Sequence, residues 1–222
     1  MIVVATSLKT PAGDWAATAD QRVVAYGVPW SHYEVQLALR GEKAVPRIAY
    51  LEGALELMSP SREHERIKEY LGDLIKAYAS ERGIELSGYG SWTLKSAPRE
   101  SGLEPDACYI VGDDPESKPL PDLAIEVVLT SGGLDKLEVY RRLGIGEVWF
   151  WQAGRIDVHV LREGRYAQTE QSALFPGLDL ELVRSLLDQP TPSRAVRVLR
   201  ERLREAPSMG AMVPPLVPDR ER

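Results

Sequence analysis

A glutamate lies in the middle of an otherwise apolar segment of this chain. Glu126 stands in DLAIEVVL, residues 122–129, and every position from 123 to 129 apart from the glutamate is aliphatic. A run this continuous is typical of a central β-strand that is covered on both faces. An ionised carboxylate there is costly unless a cation or several hydrogen-bond donors meet it. Glu126 is therefore either the buried partner of an Arg or Lys from a covering helix, or a metal ligand or catalytic carboxylate.

A second carboxylate precedes a neighbouring predicted strand. Asp106 follows Pro105 and leads into the apolar run 107–111. Taken alone, an aspartate beside a proline is an ordinary turn residue. Two short strands that each carry one inward carboxylate are, however, able to place both on one cation. Mg²⁺ and Mn²⁺ prefer oxygen ligands and are often held by only one or two protein carboxylates, together with water and substrate phosphate.

A lysine follows the Glu126 strand on the next predicted helix. Lys136 lies in the first turn of that helix, four residues before Tyr140. From this position a lysine can point back over the strand end, where it would orient a water, lower the pKa of that water or hold a phosphate. The alternative is a solvated surface lysine, which is the usual environment of this residue type.

The elements that must position these residues follow an α+β, or mixed α/β, plan around one sheet. Hydrophobic spacing and capping residues predict helices over 31–41, from Ser59 or Ser61 as the N-cap to Gly83, and over 134–143, 182–187 and 193–206. Strands are predicted over 46–58 (a hairpin turning at Glu52-Gly53), 84–89, 92–95, 107–111, 122–129, 147–152, 155–161 and 165–169. The apolar stripe of the second helix, extended backward by one turn, places His64 on the inward face of its first turn.

The chain divides into an N-terminal arm, one main domain, a C-terminal helix and a tail. We expect these over 1–30, 31–188, 189–206 and 207–222, with the tail disordered because it contains four prolines and no periodicity. The C-terminal amphipathic helix carries five arginines. Contact with phosphates is one interpretation, and we favour a solvated face whose apolar edge docks on the domain or on a sister subunit.

Composition places the chain among ordinary globular proteins. Of 222 residues, 44% are hydrophobic and 27% are charged, and 27 Lys and Arg against 33 Asp and Glu give a net charge of −6. This charge argues against a general DNA-coating role, because phosphate binding depends on local Lys and Arg, but says little about an enzyme that meets nucleic acid only at its active site. A single cysteine, Cys108, excludes an internal disulfide.

We expect a soluble cytoplasmic protein. No stretch approaches the roughly 18 apolar residues that a membrane span requires, and the opening apolar run, residues 1–5, is shorter than the core of a signal peptide. Trp149 and Trp151 lie on one side of a predicted strand, where we expect core or dimer contacts in preference to a base-stacking platform.

Pro105-Asp106, followed by Glu126-Val127-Val128, resembles the PD-(D/E)XK nuclease signature. More closely, residues 47–187 resemble the Uma-type putative restriction endonuclease family, a large bacterial group. The stretches that carry the resemblance are LEGALELMSPSREHE (51–65), LEPDACYIV (103–111) and PDLAIEVVLTSGGLDKLEVYRRLGIGEVWFW (121–151).

The resemblance implies a restriction-endonuclease-like core, in which a mixed central β-sheet is flanked by helices and carries a divalent metal at its carboxylates. The acidic residues of the family fall on Asp106 and Glu126. The third residue of the (D/E)XK triplet is Val128 here, and the family's lysine has moved onto the following helix, where this chain has Lys136.

Other family positions are matched less completely. The family's recurrent histidine falls on His64, and its acidic residues near the first hairpin fall on Glu52 and Glu56. Family members often carry an aspartate after the tryptophan-rich strand, where this chain has Gln152. The resemblance therefore implies no acidic role at that last position.

The leading functional hypothesis is an Mg²⁺- or Mn²⁺-dependent endonuclease that hydrolyses phosphodiester bonds of nucleic acid, DNA in the first instance. Asp106, Glu126 and the backbone carbonyl of Val127 would hold the metal. Lys136 would steer the attacking water or stabilise the phosphate. Because nuclease cores of this kind are often dimeric, we also expect a homodimer.

Further roles and two alternative functions stay open. Glu56 or His64 would assist through a water or a second metal, and for His64 a structural cap or core histidine is an equal alternative. The chain is alternatively a catalytically weak or inactive nuclease-fold module that binds or regulates, or a metal-dependent hydrolase of a smaller phosphate ester.

Overall fold

The computed structural model describes residues 19–130 and 132–205. Most of the predicted N-terminal arm, residues 1–18, and the predicted tail, residues 207–222, lie outside the described residues. The parts that are described form an α+β arrangement in which helices cover two β-sheets.

The five predicted helices are all present in the described ranges, and their ends differ from the predicted ends by at most two residues. They are α1 (Trp30–Arg40), α2 (Arg62–Arg82), α3 (Lys136–Leu143), α4 (Leu180–Leu186) and α5 (Pro192–Glu205). The N-cap of α2 is Ser61, whose hydroxyl accepts a hydrogen bond from the His64 backbone N–H at 3.2 Å. This decides between the two serines that the sequence left open.

Eleven strands are present in the described residues, and they form two sheets. They are β1 (Gln21–Ala25), β2 (Arg47–Leu51), β3 (Ala54–Ser59), β4 (Leu86–Gly90), β5 (Leu94–Ser96), β6 (Ser101–Leu103), β7 (Ala107–Val111), β8 (Leu123–Val128), β9 (Glu147–Gln152), β10 (Arg155–Arg162) and β11 (Arg165–Thr169). The six-stranded sheet has the order β11-β10-β9-β8-β7-β4, and the five-stranded sheet has the order β1-β3-β2-β6-β5. The first is mixed, because only the β8–β9 pair is parallel.

The central strand β8 is covered on both faces, as its apolar sequence predicts. Ile125 and Val127 pack into the cluster formed by α2, α4 and α5, whereas Ala124 packs into the cluster under α3. Since side chains alternate along a strand, Glu126 shares the face of Ala124 and points toward α3.

The remaining predictions about packing are confirmed. Trp149 is fully buried in the core and Trp151 is partly buried against it. The apolar edge of α5 docks on α2 of its own domain through Ala195 and Leu199, and two of its arginines contact Glu81 of α2. In the part of the chain that the structure describes, no helix combines the length and apolar character needed to cross a membrane.

Candidate active site

The antiparallel pairing of β7 and β8 brings the segments that carry the two key carboxylates next to each other. The paired register ends with Ala107 opposite Ile125, and Asp106 lies directly before β7. Its carboxylate accepts a hydrogen bond from the backbone N–H of Val127, the residue that follows Glu126. Both side chains are buried. Strand pairing therefore brings the two residues into one region of the protein.

Asp106 lies among donors from three elements. Its Oδ2 accepts a hydrogen bond from the Val127 backbone N–H at 2.6 Å and lies 2.9 Å from Nε2 of His64. Its Oδ1 forms an ion pair with Nη1 of Arg47, which begins β2. One oxygen of the carboxylate is thus held by the backbone and the imidazole, and the other by a guanidinium.

His64 is held between two carboxylates at the start of α2. Its Nδ1 lies 3.0 Å from Oδ2 of Asp20, and its Nε2 faces Asp106. The Ser61 backbone N–H donates to the other oxygen of Asp20 at 2.8 Å. Burial raises the pKa of Asp20, but the hydrogen bonds from His64 and Ser61 outweigh it and lower that pKa below its ordinary value. Asp20 is therefore ionised at neutral pH and orients the imidazole.

Glu126 is satisfied by two side chains of α3. Nζ of Lys136 lies 2.5 Å from its Oε2, and the Tyr140 hydroxyl donates to its Oε1. These two residues are four apart, so they lie on the same helix face, and Asp135 caps the helix directly before them. Burial, followed by the nearby Glu126 charge, raises the pKa of Tyr140 well above its ordinary value, so the phenol stays a neutral donor. Lys136 alone of the three reaches solvent, with 12% of its side chain exposed.

Glu56 contacts a different part of the same region. It is buried on β3, its Oε2 accepts a hydrogen bond from the Leu134 backbone N–H at 3.0 Å, and the same oxygen lies 3.4 Å from Nε of Arg22. Glu52, by contrast, sits in the β2–β3 turn and forms an ion pair with Arg142 on α3. Glu56 is thus joined to the loop before α3, whereas Glu52 lies at the surface.

The donor chemistry of Asp106 and Glu126 fits a hard divalent cation. Both offer carboxylate oxygens, which are the ligands that Mg²⁺ and Mn²⁺ prefer. Within residues 19–130 and 132–205, no cluster of three or more His, Cys, Asp or Glu side chains is arranged to hold a metal. An ion at these two residues would therefore take its remaining ligands from backbone carbonyl, water and substrate, which is usual for Mg²⁺.

Several contact residues were missed from the sequence. Arg47, Asp20 and Arg22 reach the site from strands or segments far away along the chain, and no local pattern marks them. Tyr140 was recognisable from the sequence, because it follows Lys136 by four residues and its side chain therefore shares the helix face that reaches Glu126.

Comparison with known proteins supports the same class of fold. The chain is similar to a putative nuclease of the DUF820 group from Anabaena variabilis ATCC 29413, whose crystal structure superposes with a TM-score of 0.50 at 14% sequence identity. The match covers 69% of this chain and 98% of that one. No curated protein matches the sequence significantly.

The mixed sheet, with its paired buried carboxylates and covering helices, defines a restriction-endonuclease-like fold. A family model described as a putative restriction endonuclease, Uma2, matches residues 30–189. The chain belongs to this Uma2 family.

Proposed function

We propose that this protein is an endonuclease that hydrolyses phosphodiester bonds, of DNA in the first instance, with Mg²⁺ or Mn²⁺ held by Asp106, Glu126 and the backbone carbonyl of Val127. The observation that carries the proposal is that two buried carboxylates lie on neighbouring segments: Asp106 bonds to the backbone of the residue after Glu126, and Glu126 is paired with a partly exposed lysine. Family membership supports nuclease chemistry and a nucleic-acid substrate.

Each side chain has a definable task. When bound, the metal ion would lower the pKa of a coordinated water and neutralise charge that develops on the phosphate. Lys136, at the solvent edge, steers the attacking water or stabilises the phosphate. Tyr140 fixes the Glu126 carboxylate through its hydroxyl, and His64 fixes Asp106 at Oδ2.

Each buried carboxylate of the site has a cationic partner in the protein. Asp106 pairs with Arg47 and Glu126 with Lys136, so neither carboxylate is left uncompensated. The same observation favours the second candidate, a nuclease-fold binding or regulatory module that needs no metal. Mn²⁺ titration by calorimetry separates the two, because only the nuclease proposal requires Asp106→Asn to weaken Mn²⁺ binding.

The direct test is cleavage of supercoiled plasmid, single-stranded DNA and RNA by the purified protein with Mg²⁺ or Mn²⁺. We expect Lys136→Ala to lower kcat by about 10²–10³-fold, and the double variant Asp106→Ala/Glu126→Ala to abolish cleavage. Arg155→Ala is a matched control, since this arginine is exposed and pairs only loosely with Asp157. Wild-type activity no greater than that of the double variant would remove the enzymatic proposal.

We further propose that the protein acts as a homodimer. Helix α1 exposes Val35 and Leu39, whose side chains are 52% and 73% accessible. They are four residues apart and so lie on one face of the helix. Together they form a small exposed apolar face, against which the second copy of the chain would pack.

A further inference from the structure

An arginine on the edge strand β1 reaches the loop that connects the Glu126 strand with the Lys136 helix. Nη1 of Arg22 donates to the backbone carbonyl of Gly132 and lies 3.4 Å from that of Thr130. Only 14% of its side chain is exposed. Strand β1 precedes the region that the family model matches, so this contact comes from outside that region.

Glu56 holds the other end of the same loop. On the β1–β3 pair, Val24 lies opposite Glu56, so Arg22 is the diagonal neighbour of Glu56 on the same face. The carboxylate meets the Arg22 guanidinium and also accepts from the Leu134 backbone N–H. A single buried ion pair therefore contacts three backbone groups of the loop between residues 130 and 134.

Glycine is required where the loop crosses this ion pair. A Cβ atom at Gly133 would collide with Oε2 of Glu56 and lie 3.1 Å from Nη1 of Arg22. Gly112, in the loop after β7, has nearly the same φ, 120° against 123° at Gly133, but a Cβ there would meet no atom within 4 Å. The two glycines differ in steric room, which makes them a matched pair of test positions.

We propose that Arg22 and Glu56 are positioning residues: they clamp the backbone at Thr130, Gly132 and Leu134 and so set Lys136 against Glu126. The inference rests on the proposed function for its catalytic consequence, and it assigns Glu56 a role in holding the loop. Lys136 begins α3 only two residues after Leu134, so displacement of the loop moves the lysine directly.

Hydrogen exchange of the metal-free protein tests the clamp without reference to activity. We expect Arg22→Gln and Gly133→Ala to speed exchange of the Leu134 amide at least tenfold, while exchange in β10 and α5 stays unchanged. Arg155→Gln and Gly112→Ala are the controls, and both should leave the Leu134 amide close to wild type. Unchanged exchange in Arg22→Gln would overturn the proposal, as would equal effects of the two glycine substitutions.

The kinetic arm asks whether the clamp acts through Lys136. Arg22→Gln should lower kcat about tenfold with little change in KM. In a Lys136→Met background the same substitution should lower kcat by less than about twofold, because two changes that act through one group are not additive. Full additivity would contradict a positioning role. If the wild-type protein cleaves no nucleic acid, the proposed function fails, whereas the exchange experiment still supports or overturns the clamp.

Discussion

At the scale of single residues, the two carboxylates of the site have different hydrogen-bond and ion-pair partners. Asp106 contacts Arg47, His64 and a backbone amide, whereas Glu126 contacts Lys136 and Tyr140. A buried carboxylate that loses one of these partners has less compensation for its burial. Each partner is therefore expected to affect stability as well as chemistry.

Tyr140→Phe tests this point for Glu126. The substitution keeps the ring and removes the donor to an ionised, buried oxygen, so we expect the free energy of unfolding in urea to fall by about 2 kcal/mol. The control is Tyr166→Phe, whose hydroxyl donates to the neutral carbonyl of Ile145 at 2.6 Å and should cost about 1 kcal/mol. Equal losses in the two variants would contradict a charged acceptor at Glu126.

Residue types alone predicted the two carboxylates of the proposed site but not their surroundings. Glu126 was visible because a carboxylate is unusual inside an apolar strand, and Asp106 because it enters the neighbouring strand. Arg47 and Asp20 were invisible because their contacts depend on how distant elements pack: Arg47 meets a residue 59 positions away, and Asp20 one that is 44 positions away.

At the scale of elements, helix α3 must hold two residues against Glu126. On the solvent-facing side of this helix, Glu138 accepts hydrogen bonds from Arg141 and Arg142. Those hydrogen bonds lower the pKa of Glu138 to about 2. In the unfolded chain the pKa of a glutamate is about 4.3. The ionised carboxylate therefore stabilises the fold above that pH, and the stabilisation is lost as the pH falls toward the folded-state pKa.

We accordingly expect Glu138→Gln to lower the free energy of unfolding by about 0.5 kcal/mol at neutral pH, a small value because the pairs are solvent-accessible. The difference from wild type should shrink as the pH falls below about 4. Urea unfolding between pH 7 and pH 3 measures it, with Glu181→Gln on α4 as the control, where one arginine meets the carboxylate. A difference independent of pH would contradict the assignment.

Long periodic elements were predictable, and short pairing strands were not. The α2 stripe predicted a buried helix, and β8 was recognisable from its apolar run. Strand β6 has only three residues, Ser101–Leu103, too few to show alternation. Strand β1 lay within the predicted arm, and its pairing with β3 is set by tertiary contacts. The sequence for this reason predicted one sheet where the structure has two.

At the scale of the whole molecule, the two sheets meet at the site. The five-stranded sheet supplies Arg22, Arg47 and Glu56, and the six-stranded sheet supplies Glu126, with Asp106 immediately before its β7 strand. Helices α2 and α3 bring His64 and Lys136 to the same place. The site is thus a property of how the sheets pack and is absent from either sheet alone.

The homodimer proposal is tested at this scale by sedimentation velocity at micromolar concentration. We expect a species of twice the 24.7 kDa chain mass, and we expect Leu39→Lys to shift it toward the monomer, because a charge at the centre of an apolar contact is costly to bury. The control is Tyr89→Lys, at an exposed position on β4, an edge strand of the six-stranded sheet, and this variant should stay dimeric. A monomeric wild-type protein would refute the proposal.

The central claim, that Asp106 and Glu126 share one divalent ion, is tested most directly by crystals soaked in Mn²⁺ and measured for anomalous scattering. The account predicts a single peak between the two carboxylates, within about 2.0–2.6 Å of an oxygen of each, and its loss in Asp106→Asn. If crystals soaked in saturating Mn²⁺ show no peak there and Lys136 remains bound to Glu126, the claim of a shared ion is contradicted.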